Sequence, residues 1–137
     1  MDYYLYTDGG ARNNPGPGAI GVLICDEQGN ECARHKAFIG EATNNIAEYC
    51  ALIAGLELAT SYTPANLHCF LDSELVVNQL NGKYRVKNAR IKMLYQEVKN
   101  QEGHFTALSY TYLPRTHEKM KIVDKLVNQA LDEEGTP

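Results

Sequence analysis

Aromatic and β-branched residues dominate positions 3–7, and Asp8-Gly9-Gly10 follows, so this stretch reads as a first strand ended by a turn. Residues 13–18 run Asn-Asn-Pro-Gly-Pro-Gly, which excludes helix. Residues 19–25 read as a second strand, Asp26-Glu27-Gln28-Gly29-Asn30 as a hairpin loop, and residues 31–39 as a third strand returning antiparallel to the second. Over 45–61 the apolar positions Ile46, Ala47, Cys50, Leu52, Ile53, Ala54, Leu56 and Leu58 go all round a helix, so it is expected to be buried on more than one side. Pro64 ends that region, and residues 67–71 form a short apolar strand of the kind found in a sheet covered on both faces. Asp72-Ser73 opens a helix over 74–80, which Asn81-Gly82 stops. Ile91, Leu94, Tyr95 and Val98, spaced by threes and fours, predict a helix over 88–100. A strand over 105–113, with Leu108, Tyr110 and Tyr112 on one side, and a helix over 118–131 complete the order βββαβααβα. Three meandering strands followed by βα units imply an α/β protein with one mixed sheet and helices packed on it.

The 137 residues fit a single domain, 1–137, and leave no room for a comfortable second. With 44% hydrophobic and 22% charged residues the composition is that of an ordinary globular chain, which excludes disorder. No apolar run approaches the ~20 residues of a membrane span. The start, Met1-Asp2-Tyr3-Tyr4, has neither the basic nor the apolar region of a secretory signal, so a cytoplasmic protein is expected. Cys25, Cys32, Cys50 and Cys69 form no C-x-x-C pair, which argues against zinc and for reduced thiols.

The net charge of −4 is unevenly spread. Residues 1–82 hold three basic and ten acidic side chains, whereas residues 83–137 hold ten basic and seven acidic. Lys83, Arg85, Lys87, Arg90, Lys92 and Lys99 face only Glu97 over seventeen residues. One part suits cations and the other phosphates, although a solvated lysine-rich helix face has the same composition.

Four carboxylates stand where the pattern calls for apolar or turn residues. Asp8 closes the first strand, and Asp72 closes the fourth directly before a helix. Glu48 sits three residues after Asn45, the spacing of a capping box, yet its helical neighbours Ala51, Leu52, Gly55 and Ala59 mark a packed face. Asp124 has Met120, Lys121, Val127 and Asn128 as its neighbours on the last helix, with Val123 beside it. Singly these are a turn, an N-cap, a capping box and a helix-boundary residue. Together they suggest a site, because mixed sheets place sites beyond strand carboxyl ends, where adjacent strands would set Asp8 beside Asp72. Crowded carboxylates repel and take up protons, and two divalent cations relieve that. Oxygen ligands without histidine or thiolate select magnesium or manganese over zinc. Two such ions can activate a water and stabilise a leaving oxygen in phosphoryl transfer.

Tyr6-Thr7-Asp8-Gly9-Gly10 with Asn14-Pro15-Gly16-Pro17-Gly18, Thr43-Asn44-Asn45-Ile46-Ala47-Glu48, Leu71-Asp72-Ser73-Glu74-Leu75, and Val123-Asp124-Lys125-Leu126 resemble, in order, the four signatures of type 1 ribonuclease H. The resemblance covers nearly the whole chain. It implies a ribonuclease H-like five-stranded mixed sheet with helices on both faces. It also implies metal-dependent cutting of the RNA strand of RNA–DNA hybrids, leaving 5′-phosphate and 3′-hydroxyl ends. Asp8, Glu48, Asp72 and Asp124 fall on the family's catalytic metal ligands, with two Mg²⁺ ions expected and Mn²⁺ able to substitute. Asn14, Asn44 and Asn45, with Gly9, fall on substrate-reading positions. Side-chain amides suit that task because the 2′-hydroxyl distinguishing RNA both donates and accepts. The alternative for Asn44 and Asn45 is helix capping.

Some positions depart from the family pattern. Glu74 replaces a frequent glutamine, and Met120 a frequent polar residue. His117 is the local candidate for the family's loop histidine, with Arg115 as a substitute. Only residues 81–87 separate the two middle helices, too few for the basic, tryptophan-bearing protrusion of many relatives, and the chain has no tryptophan. Lys83, Arg85, Lys87 and Arg90 are therefore candidates for holding the substrate backbone. A monomer acting on an RNA–DNA hybrid, without membrane contact, is expected. Two other readings stand beside it: a non-catalytic nucleic-acid binding module, which four intact acids argue against, and a nuclease acting on double-stranded RNA.

Overall fold

The computed structural model describes residues 1–136. Strands β1 (Asp2–Ala11), β2 (Gly16–Cys25) and β3 (Glu31–Ala42) form an antiparallel meander. Helix α1 (Asn44–Ala59) leads through a single 3₁₀ turn to β4 (Asn66–Leu71), then α2 (Glu74–Leu80) and α3 (Ala89–Gln101). A second 3₁₀ turn precedes β5 (Ala107–Tyr112), and α4 (Glu118–Glu133) follows. The five-stranded sheet has the order β3-β2-β1-β4-β5, with β4 parallel to both β1 and β5. No helix among the described residues is long and apolar enough to cross a membrane.

The sheet divides two hydrophobic layers. On one face Leu5, Val22, Ile24, Leu67, Cys69 and Leu71 pack against Tyr49, Leu52 and Leu56 of α1, with Val76 and Leu80 of α2 and Val98 of α3 behind. Helix α1 lies between the sheet and α3, which is why it is apolar all round. On the other face Tyr6, Leu23 and Cys25 meet Met120, Val123 and Leu126 of α4. Met120 is 1% exposed, so its replacement of a polar residue serves this layer rather than the site.

Several boundaries differ from those read in the pattern. β1 does not stop at Asp8-Gly9-Gly10 but continues to Ala11, because β2 pairs with it from Asp8↔Gly21 to Ala11↔Gly18. No proline interrupts this run, so the ladder persists through the glycines. β3 runs to Ala42 rather than 39, past Gly40, whose φ of 78° lies in the left-handed region. Helix α1 is capped by Thr43, whose side chain accepts from the Ile46 N–H, so neither Asn44 nor Asn45 is the cap. Phe105 leaves the β5 ladder to enter the core.

Candidate active site

β1 and β4 pair in parallel from Asp2↔Asn66 to Tyr6↔Phe70 and then part. Asp8 and Asp72 sit two residues past this last pair. Asp8 is thus within β1 by its pairing with β2, yet at the end of the pairing with β4. Gly9 brings in the third acid. A Cβ there would stand 2.1 Å from the Ala47 carbonyl oxygen, so only glycine lets the first turn of α1 lie directly on β1. In that position Glu48 Oε1 accepts the Gly9 N–H at 2.8 Å, instead of closing a capping box on its own helix. This bond occupies the Gly9 N–H, and Gly9 itself lines the cleft.

Asp8, Glu48 and Asp72 each bring one carboxylate oxygen within 4.8 Å of the others. Asp8 and Glu48 are both 5% exposed, and the Asp72 side chain 7%. Burial, and then the charge of Asp72, push the Asp8 carboxyl up to about 7. Burial, followed by the charges of Asp8 and Asp72, pushes Glu48 well above the ordinary carboxylate range. Glu48 Oε2 is buried without a hydrogen-bond donor. Three acids in this arrangement need a shared proton or a cation between them. Their oxygens are hard donors of the type that holds Mg²⁺ or Mn²⁺, so the residues fit a divalent ion.

Asp124 is not part of this close trio. It sits on α4, a separate layer over β2, and lines the same 440 Å³ cleft, where its charge also raises Asp8. Arg115 donates from Nε to Asp72 Oδ2 at 3.2 Å and lines the cleft. His117 does not. It is the N-cap of α4, its Nδ1 accepts from the Lys119 N–H at 3.1 Å, and its ring stacks on Tyr6. Of the two loop candidates, Arg115 is therefore the one in the cleft. Glu74 lies in the exposed first turn of α2, outside the cleft lining.

Asn44 and Asn45 line the cleft, and Asn14, in the groove beside it, is tied to Asn44 in a relay. Asn14 Oδ1 accepts the Asn44 N–H at 2.9 Å, and Asn44 Oδ1 accepts the Ala11 N–H at 2.9 Å. Both oxygens are thereby fixed, and the amide N–H₂ groups remain as donors. Asn45 lines both this cleft and an adjoining groove that contains Asn14, Asn88 and Arg90. Arg85 lines a further groove with Tyr84, Lys92 and Tyr95. Lys83 and Lys87 are exposed and line neither groove. Sequence reasoning missed Arg12, Asn128 and Ser73 in the cleft lining. The available signal was that Arg12 is the only cation in residues 1–33.

A mixed sheet of this order, with acids at the β1–β4 split, defines the ribonuclease H-like class of α/β domains. The family described as "Reverse transcriptase-like" matches residues 6–130. A "Bifunctional protein" of Mycobacterium tuberculosis is 35% identical over 133 residues, covering 96% of this chain and 36% of the relative. Ribonuclease HI of Halobacterium salinarum is 37% identical over 131 residues, covering 95% of this chain and 64% of the relative. The chain thus spans about a third of the mycobacterial relative and under two thirds of the archaeal one. The structure of LC11-RNase H1 in complex with an RNA/DNA hybrid superposes with a TM-score of 0.91 at 39% identity, covering 98% of this chain and 99% of that one. The chain belongs to the type 1 ribonuclease H family.

Proposed function

We propose that this protein is a divalent-metal-dependent endonuclease that hydrolyses the RNA strand of RNA–DNA hybrids, and that residues 1–137 are its single catalytic domain. The observation that carries this reading is the buried trio Asp8, Glu48 and Asp72, with an oxygen of Glu48 left without a donor. A pure binding module has no use for buried acids facing phosphates. Asp8, Glu48 and Asp72 would hold two Mg²⁺ ions, or Mn²⁺ in their place, with Asp124 completing the set from α4. When bound, such ions supply an activated water and charge neutralisation for in-line displacement at phosphorus. The products are then 5′-phosphate and 3′-hydroxyl ends.

The chain's own residues do the rest. Deprotonated Asp8 and Glu48 provide ligand oxygens, and Gly9 fixes Glu48 in place. Arg115 holds Asp72 and offers the remainder of its guanidinium to the substrate. Asn14, Asn44 and Asn45 donate to the RNA strand, where the 2′-hydroxyl separates ribose from deoxyribose. Arg85 and Arg90 track the backbone outside the acidic cleft. The test is cleavage of end-labelled RNA in a hybrid, in double-stranded RNA and as a single strand, alongside double-stranded DNA, with Mg²⁺, with Mn²⁺ and with chelator. Metal-dependent cutting of the hybrid is expected. Binding without cutting supports the module reading instead, and preference for double-stranded RNA the other nuclease.

A further inference from the structure

Among the described residues, the cleft holds two cations beside its acids, Arg12 and Arg115. Arg115 is engaged by Asp72 at the catalytic end. Arg12 stands at the other end, in the turn between β1 and β2 and two residues before Asn14. Its backbone is pinned, because its N–H donates to the Pro17 carbonyl at 2.9 Å across that turn. Its guanidinium is held entirely by the C-terminal part of α4 and the residues after it. It pairs with Asp132 at 2.8 Å, reaches Asn128 Oδ1 at 3.3 Å and donates to the Thr136 carbonyl.

The Asp132 side chain is 67% exposed and that of Arg12 26%. A pair with one partner so well solvated is weak, and water takes over the carboxylate when the arginine leaves. A phosphodiester presents the guanidinium with the same two-oxygen geometry as a carboxylate. The exchange needs only side-chain rotation, since the backbone of the turn stays in place. It also meets a need of the cleft, where four acids repel an incoming polyanion and the other cation is already taken.

We propose that Arg12 binds a backbone phosphate of the substrate at the α4 end of the cleft, and that Asp132 competes with that phosphate for it in the free protein. The proposal rests on the hybrid reading above. Asp132 thereby acts as a brake on substrate binding, not as a strut.

The test compares wild type, Arg12→Gln, Arg12→Lys, Asp132→Asn and the double variant Arg12→Gln/Asp132→Asn. Binding is read by fluorescence anisotropy of a labelled RNA–DNA hybrid over a range of NaCl concentrations. KM is read from hybrid cleavage with Mg²⁺ or Mn²⁺, and thermal melts are recorded for each variant. Arg12→Gln is expected to raise Kd and KM together by about three- to tenfold and to flatten the salt slope by about one, the value of one phosphate contact. Arg12→Lys retains the slope. Asp132→Asn is expected to lower Kd and KM by about two- to threefold, as removal of a competing charge does. The double variant matches Arg12→Gln, since Asp132 acts only through Arg12. Weaker or unchanged hybrid binding by Asp132→Asn overturns the proposal and makes the pair a structural strap, as does an Arg12→Gln variant with a lowered Tm and an unmoved Kd. Should Arg12→Gln fail to fold, Asp132→Asn decides alone, because a strap does not bind tighter when cut. A wild-type protein that neither binds nor cuts the hybrid overturns the reading of the function instead.

Discussion

A Cβ atom on Gly21 would stand 2.4 Å from the main-chain oxygen of Val123. Gly21 is the cross-strand partner of Asp8, and Val123 is the residue before Asp124. The missing side chain at 21 therefore lets the backbone of α4 rest on β2 next to Asp8, and this contact carries Asp124 to the cleft. Gly9 and Ala47 do the same for α1 on the opposite face, where the seated helix delivers Glu48. Two bare spots on adjacent strands thus set the spacing of acids that come from four separate elements.

Gly21→Ala should accordingly cost both stability and activity. The new methyl meets backbone, which cannot rotate away, so α4 must lift. Overpacking of this kind costs about 1–3 kcal/mol. A urea titration followed by circular dichroism should show the loss, and kcat should fall with it as Asp124 is displaced. A variant with the wild-type midpoint and rate would show that α4 is not seated through Gly21.

Asp8→Asn should remove hybrid cleavage by about two to four orders of magnitude, the scale of a lost metal-ligand charge. It should also stabilise the metal-free protein at pH 8 by about 1–3 kcal/mol, because the ionised carboxyl is buried beside two others. The sign follows from proton counting. The Asp8 carboxyl rises from an ordinary 3.8 to about 7 on folding. Between those values the native state binds more protons than the unfolded chain, so metal-free stability falls as pH rises through the window. Denaturation of wild type and Asp8→Asn at pH 5 and pH 8 should show the wild-type decline and its flattening in the variant. Equal slopes would remove Asp8 from the account.

The same protons oppose a metal ion. Binding must displace them, so Mg²⁺ or Mn²⁺ should raise the Tm more at pH 8 than at pH 5.5, with protons released on binding near pH 6. Calorimetry in buffers of different ionisation enthalpy counts those protons. A thermal shift independent of pH would place the ion away from Asp8 and Glu48.

Asn45→Ala tests ribose selection more cleanly than Asn14→Ala, because Asn14 also accepts the Asn44 N–H and its loss disturbs the turn. The variant should lower kcat/KM for hybrids by about tenfold, with a smaller change in Kd, since contacts to the sugar discriminate while phosphate contacts position. Chimeric strands with single deoxyribose substitutions read the selectivity. An unchanged profile would leave Asn45 without a role in recognition.

Arg85 and Arg90 line grooves outside the acidic cleft, whereas Lys83 and Lys87 do not. Replacing both arginines by Gln should raise KM and flatten the salt slope by about two. The paired lysine replacement should move the slope less. The reverse ranking would put the substrate backbone on the loop tip and not along the grooves.

The element order, the meander and both apolar layers were legible in the sequence, because alternation in strands and the all-round apolar surface of α1 report burial directly. Glu48 stood out as an acid on a packed helix face, whereas Asp8, Asp72 and Asp124 read singly as a turn, an N-cap and a helix-boundary residue and drew notice only as a set. What lay beyond local pattern was decided by elements distant along the chain. Strand β1 continues through its glycines because β2 offers a ladder, and Glu48 turns toward Gly9 because α1 sits on the backbone of β1. His117 is taken by the first turn of its own helix, while Arg115 enters the cleft to meet an aspartate forty-three residues away. Arg12 is held by Asp132 across nearly the whole length of the chain. Residue type and spacing along the chain specify which groups are charged and which are buried. Only close packing of layers specifies which charges meet, because that depends on a few ångströms of backbone approach that glycines permit and no periodicity records.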